Sequence, residues 1–231
     1  MYYFALLLGP ERALTPAEGA AEMAAYQAFH AKAGSAIRAG DALCGAKDGK
    51  LITGWPGNPV VTDGPFAEGA EVAGGYYVLE ADNLDDALAL ARDIPAAQYG
   101  AVEVWPMVHW GAPTEPVGAA WLGLLLEAPE DVNIPGSPEF EARVALHQEA
   151  RTSIGDHVLG GAPLHPPATA TTVRVRDGQV LLTDGPYAEG AEVANGFYLI
   201  RAADQDEAVK VASMIPAGSV LVRQLAGIAG L

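Results

Sequence analysis

The chain has 231 residues, half of them hydrophobic, with 29 acidic against 13 basic side chains, a net charge of −16 and one cysteine. Such a negative balance repels phosphate backbones and anionic lipid, which argues against nucleic acid or a membrane surface as the ligand. Cys44 alone can make neither an internal disulfide nor a cysteine-based zinc site, and no apolar run approaches the roughly 20 residues of a membrane span.

In chain order, the apolar start Tyr2-Tyr3-Phe4-Ala5-Leu6-Leu7-Leu8 lacks a basic leader and stops at Gly9-Pro10, unlike a secretory signal. A similar run, Trp121-Leu122-Gly123-Leu124-Leu125-Leu126, stands in mid-chain, so both are expected to be buried first strands. Thr15-Pro16-Ala17-Glu18 has the form of a capping box with proline in the first helical turn. The helix it opens is predicted to carry Tyr26, Phe29, His30, Ala33 and Ile37 on one stripe and to end at Gly40. Its counterpart starts at Ser137-Pro138 and carries Phe140, Val144, His147, Arg151 and Ile154 before Gly155. Residues 50–55 and 60–62 flank a Pro-Gly-Asn-Pro turn, and residues 171–176 and 180–183 flank Asp177-Gly178, so each half is predicted to hold a hairpin. The runs 75–79 and 196–200 are apolar enough to lie centrally in a sheet. Second helices are predicted around Leu84–Ala91 and 206–214, with last strands at 102–105 and 219–224. Residues 106–119, rich in proline, read as a stiff connection.

Residues 62–96 match residues 183–217 without a gap, with 20 identities in 35 positions. The chain is therefore a tandem duplication: a first repeat over 1–107, a linker over 108–119 and a second repeat over 120–231. Each half reads β-α-β(hairpin)-α-β, an α+β, ferredoxin-like order with helices on one face of an antiparallel sheet. The uncovered faces are expected to pack sheet to sheet within one polypeptide. This makes the chain its own pseudo-dimer and leaves room for a further homodimer.

Asp63 and Asp184 each precede a Gly-Pro corner. An aspartate there can hold the turn by accepting a backbone N–H, or can act as a general base at the sheet's edge. His147 and Arg151 lie one helical turn apart and could meet one anionic group. Arg174 and Arg176 share a strand face, and with His157 and His165 they concentrate basic groups in the second half. That character suits a pocket for a small anionic or aromatic ligand. His30, beside Phe29, reads as a core or interface histidine. The histidines lack the i, i+4 spacing of a metal helix, no metal site is expected, and no glycine loop leads into a helix to cradle phosphate.

The Asp-Gly-Pro-Phe and Asp-Gly-Pro-Tyr motifs at 63–66 and 184–187, the following Ala-Glu-Gly-Ala-Glu-Val-Ala, the Ile-Pro-Ala helix ends and the run 169–178 together resemble the YCII-related (DGPF-domain) family. The resemblance covers both halves. It implies a dimeric α+β barrel, here intramolecular, shared with muconolactone isomerase and related small-molecule enzymes, and a cytoplasmic bacterial protein. It also implies a histidine–aspartate pair in a cleft, but not one reaction. Some relatives are similar to dehydrochlorinases, and others are encoded beside sigma factors. The first half departs from the pattern at 47–59, where a glycine- and proline-rich hairpin replaces the one bearing threonine and arginine.

The expected function is a cofactor-independent small-molecule enzyme of isomerase, lyase or dehydrohalogenase type, its site mainly in the second repeat. Asp184 or His147 would move the proton, and Arg151, His165, Arg174, Arg176 and Tyr187 would hold the substrate; Asp63 and Phe66 are the first-half equivalents of Asp184 and Tyr187. The alternative is a non-catalytic ligand-binding or regulatory accessory protein, for example one linked to a sigma factor.

Overall fold

In the computed structural model, residues 1–55, 57–64, 71–114, 117, 120–186 and 192–228 are described. The first apolar run forms β1 (Tyr2–Gly9), whose interior positions are buried on both faces. Thr15 caps α1 (Pro16–Ala33) through the reciprocal bonds expected of a capping box: Glu18 N–H donates to Thr15 Oγ1 at 3.3 Å, and Thr15 N–H donates to Glu18 Oε2 at 2.8 Å.

The helix ends sooner than its apolar stripe suggests. Gly34 takes a left-handed φ of 44° and Ile37 opens a strand, β2 (Ile37–Ala42), instead of a further helical turn. The first repeat continues with the hairpin β3 (Lys50–Thr53) and β4 (Val60–Asp63), then β5 (Val72–Glu80), α2 (Leu84–Ala91), the single turn α3 (Ala96–Tyr99) and β6 (Ala101–Pro106). The second repeat runs β7 (Trp121–Glu127), α4 (Pro138–Ile154), β8 (Val158–Pro163), β9 (Thr171–Arg176), β10 (Gln179–Asp184), β11 (Val193–Ile200), α5 (Gln205–Ala212) and β12 (Ser219–Gln224). The β9–β10 turn uses Asp177 and Gly178, both at positive φ, as a two-residue hairpin of this hand requires.

The described residues form two antiparallel sheets of six strands, ordered β10-β9-β6-β1-β5-β2 and β4-β3-β12-β7-β11-β8. The four strands β6-β1-β5-β2 and the four strands β12-β7-β11-β8 each make a ferredoxin-like sheet. β2 and β8 are thus the members that complete the order, and the predicted hairpins are additions to it. Each hairpin joins the other repeat: β9 pairs with β6, Val102 opposite Val173, and β3 pairs with β12, Val220 opposite Ile52.

Alternation along β5 and β11 divides their aromatics between two layers. Tyr76 and Phe197 enter the core between the sheets, where Phe4 and Phe197 stack at 4.5 Å between ring centres. Tyr77 and Tyr198 lie under the helices. Val173 and Val175 of the exchanged hairpin are buried with the first repeat's helices, and Ile52 with the second's. The segment after β6 is tied to β8 through Met107–Leu164 and Gly111–Gly161 bridges. Among the described residues no helix is long and apolar enough to cross a membrane.

Candidate functional site

Helix α1 buries only Phe29 and Ala33, both at its C-terminal end. Its remaining length spans a cavity of about 400 Å³, within the range of about 300–1,000 Å³ usual for small-molecule sites. The ladder between β1 and β5 slips at this place: Leu7 faces Gly75 and Leu8 faces Ala73, so Gly74 is bulged out and the sheet end opens. The end of β2 and its continuation to Gly45 supply another wall, Ala96 and Tyr99 of α3 a third, and Arg223 and Ile228 of the second repeat close it.

Four polar groupings line this space. His30 Nε2 lies 2.7 Å from the Tyr77 hydroxyl, and burial holds the imidazole below its usual range, hence neutral near pH 7. Burial raises the Tyr77 phenol, with the charge of Asp41 adding to the effect. Asp41, 9% exposed, accepts from the N–H groups of Gly227 at 3.0 Å and Ile228 at 3.2 Å; burial raises its carboxyl, and those amide bonds partly oppose the rise. Tyr99 donates to Glu22 at 2.9 Å and lies 3.2 Å from the Tyr26 hydroxyl, while Arg12 pairs with Glu22 at 2.6 Å and stacks 3.6 Å above the Tyr99 ring. Arg223, 2% exposed, donates to the carbonyls of Ala73, at 3.1 Å, and Cys44.

The duplicated frame shows where the halves diverge. Tyr77, opposite Gly40, matches Tyr198, opposite Gly161, and each binds a histidine. They are different histidines. Counting back from the helix-ending Gly34 and Gly155, His30 corresponds to Arg151, and Tyr26 to His147. His147 Nδ1 lies 3.0 Å from Tyr198, and burial, aided by Arg143, lowers its pKa to about 4. Asp41, opposite Tyr76, has Ala162, opposite Phe197, as its counterpart. Ala97-Gln98-Tyr99 has no counterpart, since Ala217-Gly218 follows directly where Ala96 is separated from Gly100 by those three residues.

The residues expected from sequence to form the second-repeat site are spread over both sheets. His147 and Arg151 stand on α4, with Arg151 exposed, whereas Asp184 ends β10, an exposed edge strand of the other sheet. Arg174 pairs with Glu71 at 3.2 Å. Arg176 donates to the carbonyls of Ala97, Gln98 and Gly100 at 2.8, 3.1 and 2.7 Å, tying β9 to the end of α3. His165 is half-buried after β8 and its N–H donates to Pro106. Asp63 is exposed and paired with Lys50. Phe66 and Tyr187, with the rest of residues 65–70 and 187–191, lie outside the described residues.

The sequence reading did not place Asp41, Tyr77, Tyr99 or Arg223 in a site. The three-residue insertion that brings Tyr99 was a legible signal, and so was an arginine in β12 where β6 has Trp105.

Compared with known proteins, the chain matches the family model of the YCII-related domain over residues 1–111 and again over 138–224. It is also similar to a protein of Rhizobium meliloti (strain 1021) described as uncharacterized, with 43% identity over 53 residues. That match covers 22% of this chain and 43% of the relative.

Proposed function

Because the chain belongs to the YCII-related domain family through both of its halves, we propose that it is a small-molecule enzyme of the cytoplasm whose proton chemistry runs in the cavity of the first repeat. The reaction class is an isomerisation, elimination or dehydrohalogenation that begins with removal of a proton from carbon. The observation that carries this reading is His30 hydrogen-bonded to Tyr77 on the wall of a partly open cavity of small-molecule size.

A base must be unprotonated at the working pH, and burial gives His30 that state. In the tautomer with its proton on Nε2, His30 donates to the Tyr77 oxygen. The phenolic O–H is then free to stabilise an oxyanion as it develops, and Nδ1 keeps the lone pair that takes the proton. Tyr77 stays protonated throughout, because burial and Asp41 both oppose its ionisation. Asp41 lines the same cavity in the same repeat, its carboxyl raised by burial and held by backbone amides.

This reading moves the site from the second repeat, where the sequence pointed, to the first. Two features support the move: the 400 Å³ cavity lies there, and Asp41 is an alanine in the other half. The test is incorporation of solvent deuterium into a panel of small enolisable and aromatic metabolites. His30→Gln should lower exchange by about 10²–10⁴-fold, His147→Gln should leave it within a few-fold, and the acid limb of the wild-type pH profile should fall below pH 6.5. Exchange that survives His30→Gln would sink the assignment. Binding without any exchange across the panel would identify a ligand-binding module instead.

A further inference from the structure

We propose that the cavity of the first repeat takes a small carboxylate, and that the second repeat supplies its counter-charge through Arg223. The inference deepens the functional reading above and rests on it for the location of the site. The carboxylates lining the cavity are all engaged: Glu22 by Arg12 and Tyr99, Asp41 by two backbone amides, and Glu11 by the Ala46 N–H. Of the cations, Arg12 has Glu22. Arg223 is different. Among the described residues it has no carboxylate within 4 Å, though the charges of Glu11 and Asp48 reach it from further off; it has two carbonyl partners, and its Nε–H is buried with no acceptor.

A guanidinium offers five N–H donors in a rigid fork and does not lose its charge. Leaving such a group 2% exposed and partly unsatisfied is costly, and a ligand carboxylate at the edge of the guanidinium that borders the cavity would offset part of that cost. The surroundings make room for the side chain: a Cβ on Gly49 would meet Arg223 Cδ at 2.5 Å. At the matching register position of the other sheet, opposite Phe4, stands Trp105, while Arg223 is opposite Leu122. The duplication has thus put a cation in one strand where its twin has an indole, and that cation lines the cavity of the opposite repeat. Tyr26, Tyr77 and Tyr99 line the same space, so a carboxylate on a flat apolar body suits both the aromatic walls and the fork.

The probe is benzoate, with benzamide as its uncharged counterpart of the same shape. By titration calorimetry wild-type protein should bind benzoate saturably and benzamide about ten- to a hundredfold more weakly, the span expected of hydrogen bonds to a charged group. Arg223→Gln should bring benzoate down to the benzamide level and leave benzamide unchanged, and Arg223→Lys should recover part of the difference. Since removing a buried guanidinium that ties Ala73 and Cys44 endangers the fold, a second measurement needs no variant. In ¹⁵N-labelled wild-type protein the Arg223 Nε–H resonance, assigned through its side-chain couplings, should move on addition of benzoate and not of benzamide. Equal affinities, no saturable benzoate binding, or an unmoved Arg223 resonance would overturn the proposal. Its failure is distinguishable from that of the proton chemistry. Arg223-dependent benzoate binding without His30-dependent exchange sinks only the latter, and His30-dependent exchange without carboxylate preference sinks only the former.

Discussion

His30 and His147 reach equivalent tyrosines from positions one helical turn apart, and the difference sets what each can do. His30 is half-buried on the wall of the cavity. His147 sits deeper, beside Arg143, and its pKa of about 4 makes it a poor proton acceptor but a measurable burden on stability. Between pH 6.5 and about 4 the unfolded chain takes up a proton at this residue and the native chain does not. Acidification therefore favours unfolding in that window, and the contribution is fully present above 6.5. The total is on the order of 3 kcal/mol. Asp41 works in the other direction: its carboxyl is raised by burial, so the native state gains its proton first and acidification stabilises there. The wild type minus His147→Gln difference isolates the histidine, because glutamine can still bond the Tyr198 hydroxyl and has no proton to take up. Urea unfolding across this range should show a shallower pH dependence in the variant, and an unchanged slope would mean that His147 is not desolvated as described.

At the scale of elements, α1 is a helix anchored at one end. Phe29 and Ala33 hold its C-terminal turn, while Gly19, Glu22, Met23 and Tyr26 border the cavity, so the N-terminal half has little packing beneath it. The capping box at Thr15 then carries more of that half's order than it would in a helix lying flat on a core. Thr15→Ala should cost about 1 kcal/mol and speed hydrogen exchange of amides in the first turns roughly fivefold, with the last turn unaffected. Uniform acceleration along the helix would show that the cap is not a local device. This boundary was legible in the sequence, and the other was not. Ser137 and Thr15 announce helix starts by residue type, but Ile37 falls in phase with Ala33 and His30, so the apolar stripe continues past the real end. Only the backbone of Gly34, at φ 44°, shows that the chain has turned into β2. Missing β2 hid Asp41, and with it the cavity wall. Glycine is common inside a stripe and at its end alike, so residue type alone does not separate the two cases.

At the scale of the molecule, the duplication was plain from its repeated letters, yet the exchange of hairpins was not. Alternation in Thr171–Arg176 fixes which side chains of β9 point inward; it does not say which repeat's sheet lies alongside. The exchange makes each half incomplete. Residues 1–111 alone would hold β3–β4 without β12 to pair with, leave β6 without β9, and expose Phe4, Tyr76 and Trp105, which are buried between the sheets. Exposed strand edges and an apolar sheet face of this kind drive association. Expressed by themselves, residues 1–111 should therefore aggregate or pair with a second copy. Coexpressed with residues 120–231 they should recover a one-to-one complex, with the Arg176 guanidinium again bound to the carbonyls after α3. Size-exclusion chromatography with light scattering separates these outcomes. A soluble, cooperatively folded monomer of residues 1–111 would show that the first repeat is complete without its partner's hairpin, and the dependence of its cavity on the second repeat would then rest on Arg223 and the tail at Ile228 alone.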